Sequence, residues 1–138
     1  MPRSRSHQVD KSKARTHMAK ADQFLSASTV AMSGSHHDAA LLLAIHAAIS
    51  ATDAVTAAFS GLRSADPDHL RAADLLESIA RGSDEIHERA NQLRGLLKVK
   101  NLVEYEDRRV TAREAEAGVK RADRFAGWAR SQVGKAHI

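Results

Sequence analysis

Residues 35–59, SHHDAALLLAIHAAISATDAVTAAF, restrict the fold more than any other stretch of the chain. Leu42, Ile45, Ile49, Thr56 and Phe59 recur at helical spacings, and Leu41, Ala44, Ala48, Ala51, Val55 and Ala58 form the neighbouring stripe. Two adjacent apolar stripes give a helix that is apolar most of the way round, and such a helix belongs inside a layer of other helices. His46, Ser50 and Asp53 stand at i, i+4 and i+7. The same helix therefore carries a short polar seam along one side.

The rest of the chain supplies partners for it. A first helix is predicted from about Asp10 to Met32, with Ala14, Met18, Ala21 and Leu25 on its apolar side and Phe24 beside them. Gly34 is expected at its left-handed end, and Ser35 with Asp38 as the capping box of the central helix. Gly61 closes that helix. Asp66-Pro67 reads as the start of a third helix, running to Arg81-Gly82. Ser83 caps a fourth, with Asp84 and Glu85 in its first turn, where the helix dipole favours acids. This helix is expected to reach about Lys100, and residues 101–110 to be irregular. Thr111 and Glu114 form a capping box for a fifth helix, stopped by Gly134. No strand pattern is visible. Short connections favour antiparallel neighbours. The expectation is an all-α, five-helix antiparallel bundle around a central apolar second helix, spanning residues 10–138, with residues 1–9 as a disordered basic tail.

Charge narrows the function classes. Arg3, Arg5, Lys11, Lys13 and Arg15 against Asp10 account for the whole net charge of +4, so residues 16–138 are balanced. The basic excess is a property of the tail rather than of a nucleic-acid-binding face. With no cysteine, disulfides and thiolate zinc sites are excluded. No unbroken apolar run approaches the ~20 residues of a membrane span, and no apolar segment follows the basic start. A cytoplasmic, membrane-free protein is expected. Aromatic residues make up 4 %, too few for a stacking platform for single strands.

Several groupings resemble chemical sites. His36, His37 and Asp38 are dense, but adjacent helical positions diverge, and no HExxH or Glu-x-x-His pair is present, so no metal and no cofactor are expected. Ser50, His46 and Asp53 share one helix face without a strained elbow, which argues against a nucleophilic triad. Lys98, Lys100, Arg108 and Arg109 are interspersed with Glu104, Glu106 and Asp107, a mixed-charge segment.

Four pieces in order, AKADQFLSAS (Ala19–Ser28), AIHAAISATDAV (Ala44–Val55), LRGLLKVKNLVEYE (Leu93–Glu106) and TAREAEAGVKRADRFAGWA (Thr111–Ala129), with DHLRAADLL (Asp68–Leu76) in support, resemble a HEPN domain. The resemblance implies a bundle that pairs as a symmetric homodimer with its site in the cleft between subunits. Many members are metal-independent ribonucleases of toxin–antitoxin or defence systems. Their motif is Arg, four to six residues, then His, near the end of the penultimate helix. Here Lys100 stands where that Arg would be and Tyr105 about where the His would be. Lys supplies charge without the planar fork, and a Tyr of ordinary pKa near ~10 is a poor base at neutral pH. Arg63/His69, Arg81/His87 and Arg130/His137 have the spacing elsewhere, a number expected by chance. Arg81 and His87 are kept as reserve catalytic candidates.

The resulting expectation is a non-catalytic or weakly active homodimeric binding module, with nucleotide or RNA as candidate ligand. Its cleft would be lined by His46, Asp53, Lys100, Asn101, Glu104 and Tyr105. The alternatives are a metal-independent ribonuclease toxin with a divergent site and a ligand-free scaffold protein.

Overall fold

The computed structural model describes residues 5–136 and 138. Five helices follow in order, α1 (Lys13–Ser33), α2 (His37–Ser60), α3 (Leu70–Ser78), α4 (Asp84–Tyr105) and α5 (Ala112–Lys135), with short strands β1 (Ser6–Gln8) and β2 (Leu62–Ser64). The all-α, five-helix bundle expected from the apolar periodicity is the observed fold. α2 touches all four other helices. Its stripe of Leu41, Ala44, Ala48, Ala51, Val55 and Ala58 is buried throughout, whereas Phe59 at the end of the other stripe is 42 % exposed. By length and composition α2 could cross a membrane, but 67 % of the relevant window is buried inside this chain. It serves here as a core helix.

Small residues set how closely the helices approach. Ala115, Ala122, Ala126 and Ala129 of α5 are fully buried. A Cβ built on Gly118 would lie 2.2 Å from Leu41 Cδ1, so at this position α5 has no room for a side chain against α2. On the α1 side, Ser28 is buried and its hydroxyl donates to the Ala40 carbonyl at 2.7 Å. That bond satisfies a polar group that would otherwise cost free energy in the core.

The helix ends follow the sequence signals in part. Ser83 Oγ accepts from Ile86 N at 3.3 Å, and the Thr111–Glu114 capping box is complete. The α1–α2 junction differs from expectation. Ser35, not Gly34, takes the left-handed conformation, at φ 61°. Its N–H donates to the Met32 carbonyl and that of His36 to the Ala31 carbonyl. Together these form a Schellman closure of α1. Ser35 therefore cannot cap α2, which begins after His36 without a side-chain cap. Asp38 is used at longer range: it accepts from Val110 N at 3.0 Å and ties the start of α5 to the start of α2.

Three further expectations need correction. α3 starts after His69 rather than at Asp66-Pro67, because the Asp66 and Asp68 carboxylates accept from the N–H groups of Asp68 and Leu70 and hold residues 66–69 in turns. α4 continues through Asn101 to Tyr105, so this segment is helical, not irregular. Residues 6–8 of the expected disordered tail form β1, paired antiparallel with β2 in the register Ser6↔Ser64, His7↔Arg63, Gln8↔Leu62. Gly61, at φ 66°, turns the chain out of α2, and its carbonyl accepts from Val9 N at 2.9 Å. Three-residue strands are too short to show an alternating pattern, and all of β1 is exposed. The first four residues of that tail, and His137 of the Arg130/His137 spacing, lie outside the described residues.

Candidate functional site

The polar seam of α2 faces space instead of solvent alone. His46, Ser50 and Asp53 are half-buried. Around His46 stand Phe24 of α1, with ring centroids 6.0 Å apart, and His69 at the start of α3, edge-on at 6.4 Å. Lys100 and Glu104 of α4 complete this end, joined by an ion pair of 2.6 Å with the lysine side chain only 15 % exposed. At the other end Arg63 of β2 brings its Nε to 4.0 Å from Asp53 Oδ2.

Two clefts share His69, and the first of them reaches the seam at Asp53. One, of about 210 Å³, is bounded by Asp53, Arg63, Ser64, Asp66 and His69. The other, of about 230 Å³, is bounded by Asp68, His69, Lys100, Asn101, Glu104 and Tyr105. Ser50, His46 and Asp53 make no side-chain hydrogen bond to one another among the described residues, so no nucleophilic triad is assembled.

Burial sets the protonation states. It holds the His46 imidazole below its ordinary value, and the Lys100 and His69 charges push the same way against Glu104. His69 is lowered by burial and then by Lys100, with Asp68 and Glu104 opposing. Both shifts favour the neutral form of the ring, the form that can accept a proton. Burial drives the Asp53 carboxyl up to about 6, although Arg63 and Lys20 pull it down. Arg63 Nε is buried without a hydrogen-bond partner among the described residues, and at 4.0 Å the two groups attract without bonding. Neutral imidazoles beside fixed ammonium and guanidinium charges can bind an anion and can move protons on it.

The sequence candidates divide among these places. His46, Lys100 and Glu104 meet at one end of the seam, and Asp53 lies at the other. Asn101 and Tyr105 sit on the rim, with Tyr105 80 % exposed. His69 was missed as a site residue. Its signal was the Arg63-x5-His69 spacing, set aside as chance, and here both residues border one cleft. The reserve residues Arg81 and His87 border a separate cleft of about 440 Å³ with Asp74, Glu77 and Asp84. There His87 Nδ1 contacts the Glu77 carboxylate and Nε2 lies 3.2 Å from Asn91 Nδ2. Arg94 binds both Asp74 and Glu77, and its hydrogen bond, followed by that of His87, holds the Glu77 carboxyl below the usual range. That imidazole is engaged in a carboxylate network facing further acids, a poor setting for phosphate. Among the described residues no three His, Asp or Glu side chains are arranged to hold a metal ion.

Comparison with known proteins adds one finding. The family model described as HEPN domain matches residues 14–132 of the 138-residue chain. No curated protein matches the chain.

Proposed function

Because this chain belongs to the HEPN domain family, a family of nucleotide- and RNA-associated modules, we propose that it is a homodimeric RNA-binding module of the cytoplasm. Its ligand enters the paired clefts centred on His69, and it works in a toxin–antitoxin or defence setting. The observation that carries this reading is the convergence of His46, His69 and Lys100 on one side of α2, with Arg63 and Asp53 continuing the line. In the family-like segment Tyr105 replaces the imidazole, and His69 borders the same cleft. Lys100 is committed to Glu104, which favours binding over catalysis.

A second reading, metal-independent RNA cleavage, is favoured by one specific feature: two half-buried imidazoles, edge-on to each other, whose neutral form burial favours, beside the Lys100 cation. Attack by the 2′-hydroxyl on its own phosphate needs a base, an acid and charge stabilisation, and His46, His69 and Lys100 are of those types.

Labelled RNA in EDTA separates the two. Binding without cleavage, weakened at least about tenfold by His69→Ala and by Lys100→Ala, supports the module, since a lost charge-assisted contact is worth ~1.5–3 kcal/mol. Cleavage abolished by either change supports the enzyme. RNA neither retained nor cut sinks both. Light scattering at tens of micromolar tests the dimer, and a mass near 15.0 kDa removes it.

A further inference from the structure

The groove between α4 and α5 carries chemistry that the cleft reading does not use. Arg89 and Gln92 of α4 and Arg121 and Arg124 of α5 border a space of about 370 Å³, together with Asn91 and Gly95. Arg121 and Arg124 of α5 stand at i and i+3, as do Arg89 and the neutral Gln92 of α4, so each pair shares one helix face and borders the groove. Six arginines of the fold are paired with acids, Arg63 with Asp53, Arg71 with Asp74, Arg94 with Asp74 and Glu77, Arg108 with Glu106 and Glu114, Arg109 with Asp38 and Arg130 with Asp22, while Arg5, Arg15, Arg81 and Arg113 stand singly without an ion pair among the described residues. Arg89, Arg121 and Arg124 make no ion pair among the described residues. The nearby Glu85 carboxylate is occupied in accepting from Trp128 Nε1 at 2.9 Å.

Two details mark the groove as more than a solvated basic face. Arg89 is held in place, its guanidinium 5.4 Å from the Trp128 ring centroid and donating to Gln92 Oε1 at 3.2 Å. A guanidinium positioned on an aromatic face keeps its remaining donors free and loses little entropy on binding. Gly95 lies inside a helix, where glycine costs about 1 kcal/mol relative to alanine. No neighbour requires it, since a Cβ there would meet nothing within 4 Å. Internal packing therefore does not account for this glycine, which borders the groove without a side chain to occupy it.

We propose that this groove binds a condensed phosphate chain, either free or as the tail of a nucleotide. Three unpaired guanidinium groups on opposed walls match the several oxyanions of such a chain bidentately, and Asn91 and Gln92 add amide donors. The site lies on another face of α4 and shares no residue with the clefts around His69. It stands or falls independently of the RNA-binding reading.

The test is calorimetric titration of the full chain with tripolyphosphate, with ATP and with a short oligouridylate. The expected result is one tripolyphosphate site per chain. Its affinity should fall at least about tenfold in the Arg121→Gln/Arg124→Gln double variant, for the loss of charge-assisted bonds. A similar fall is expected in Gly95→Leu, whose side chain enters open space and fills the groove without unfolding the helix. Thermal melts of both variants, unchanged or raised, establish that folding is intact. ATP binding tighter than tripolyphosphate identifies a nucleotide as the source, and equal affinity identifies the chain alone. No tripolyphosphate binding, binding indifferent to these variants, or binding of oligouridylate only would overturn the proposal.

Discussion

The two sides of α2 are built to opposite rules. Toward α5 the helix is closed by alanines and by Gly118, whose missing Cβ lets Leu41 occupy the space. Toward α3, β2 and the C-terminal end of α4, the same helix presents Asp53 to a cleft and His46 to Phe24 and His69, with a carboxylate at Asp53 that makes no side-chain hydrogen bond among the described residues. The first side is made of contact along its length, with its one carboxylate, Asp38, at the helix start and engaged with Val110 N and Arg109. The second leaves polar groups partly desolvated, which costs stability and makes them reactive. One helix thus serves as both a packing core and a ligand wall, and the difference lies in which neighbours its residues meet.

Changes on the dry side should cost most and leave ligand binding by the folded protein alone. Phe125→Ala, at a fully buried ring 5.6 Å from Trp128, should lose about 3–5 kcal/mol, since the cavity adds to the lost transfer energy. Urea melts measure it. A loss below about 1 kcal/mol would show that the core is looser than the burial implies.

The wet side should respond with the opposite sign. The Asp53 side chain is 13 % exposed and its pKa is raised from 3.8 to about 6. The folded state therefore binds a proton more tightly than the unfolded state. Stability from this group is complete below about pH 4 and falls as pH rises toward 6. Asp53→Asn should gain ~2 kcal/mol at pH 7.5 and nothing below pH 4. His46 and His69 act in reverse: their lowered values mean stability is lost as pH falls below the ordinary imidazole value. His17, lowered by burial and then by Arg63 and Lys20, adds to the same loss. In Asp53→Asn this acid-side histidine loss should dominate between pH 7 and 5, and a profile identical to the parent would show that Arg63 neutralises the carboxylate after all.

Smaller effects sharpen the contrast. Gly118→Ala should lose roughly 1–2 kcal/mol, overpacking against Leu41 outweighing the helix propensity gained. The same change at Gly95, which faces open space, should gain up to about 1 kcal/mol. Thermal melts of the pair test whether closeness or propensity decides. At the α1–α2 junction, Ser35→Gly should add ~0.5–1 kcal/mol, because glycine takes the left-handed conformation without a Cβ penalty. A destabilised variant would mean the serine hydroxyl contributes there.

Much of this molecule is local and was legible for that reason. The burial of α2 follows from its two apolar stripes. The starts of α4 and α5 follow from Ser83 and from Thr111 with Glu114, whose bonds close within three residues. Ser35 was misread because its signature, a serine three residues before an aspartate, also fits a Schellman position, and only the backbone angle separates them. The extension of α4 through Tyr105 was masked by the mixed charges of Lys98, Lys100, Glu104 and Glu106, although Leu96, Val99 and Val103 continue an apolar stripe that packs on the core.

What the sequence determined by itself was therefore the set of helices, their order and the helix they surround, since periodicity and capping act over three to seven residues. Which groups face the seam was decided only by the tertiary structure. His69 reaches His46 across the α2–α3 turn, Lys100 approaches from α4, and Arg63 is held by a strand pair that joins residues far apart in the chain. These are non-local contacts, fixed when buried surfaces close on one another, and no spacing along the chain records them.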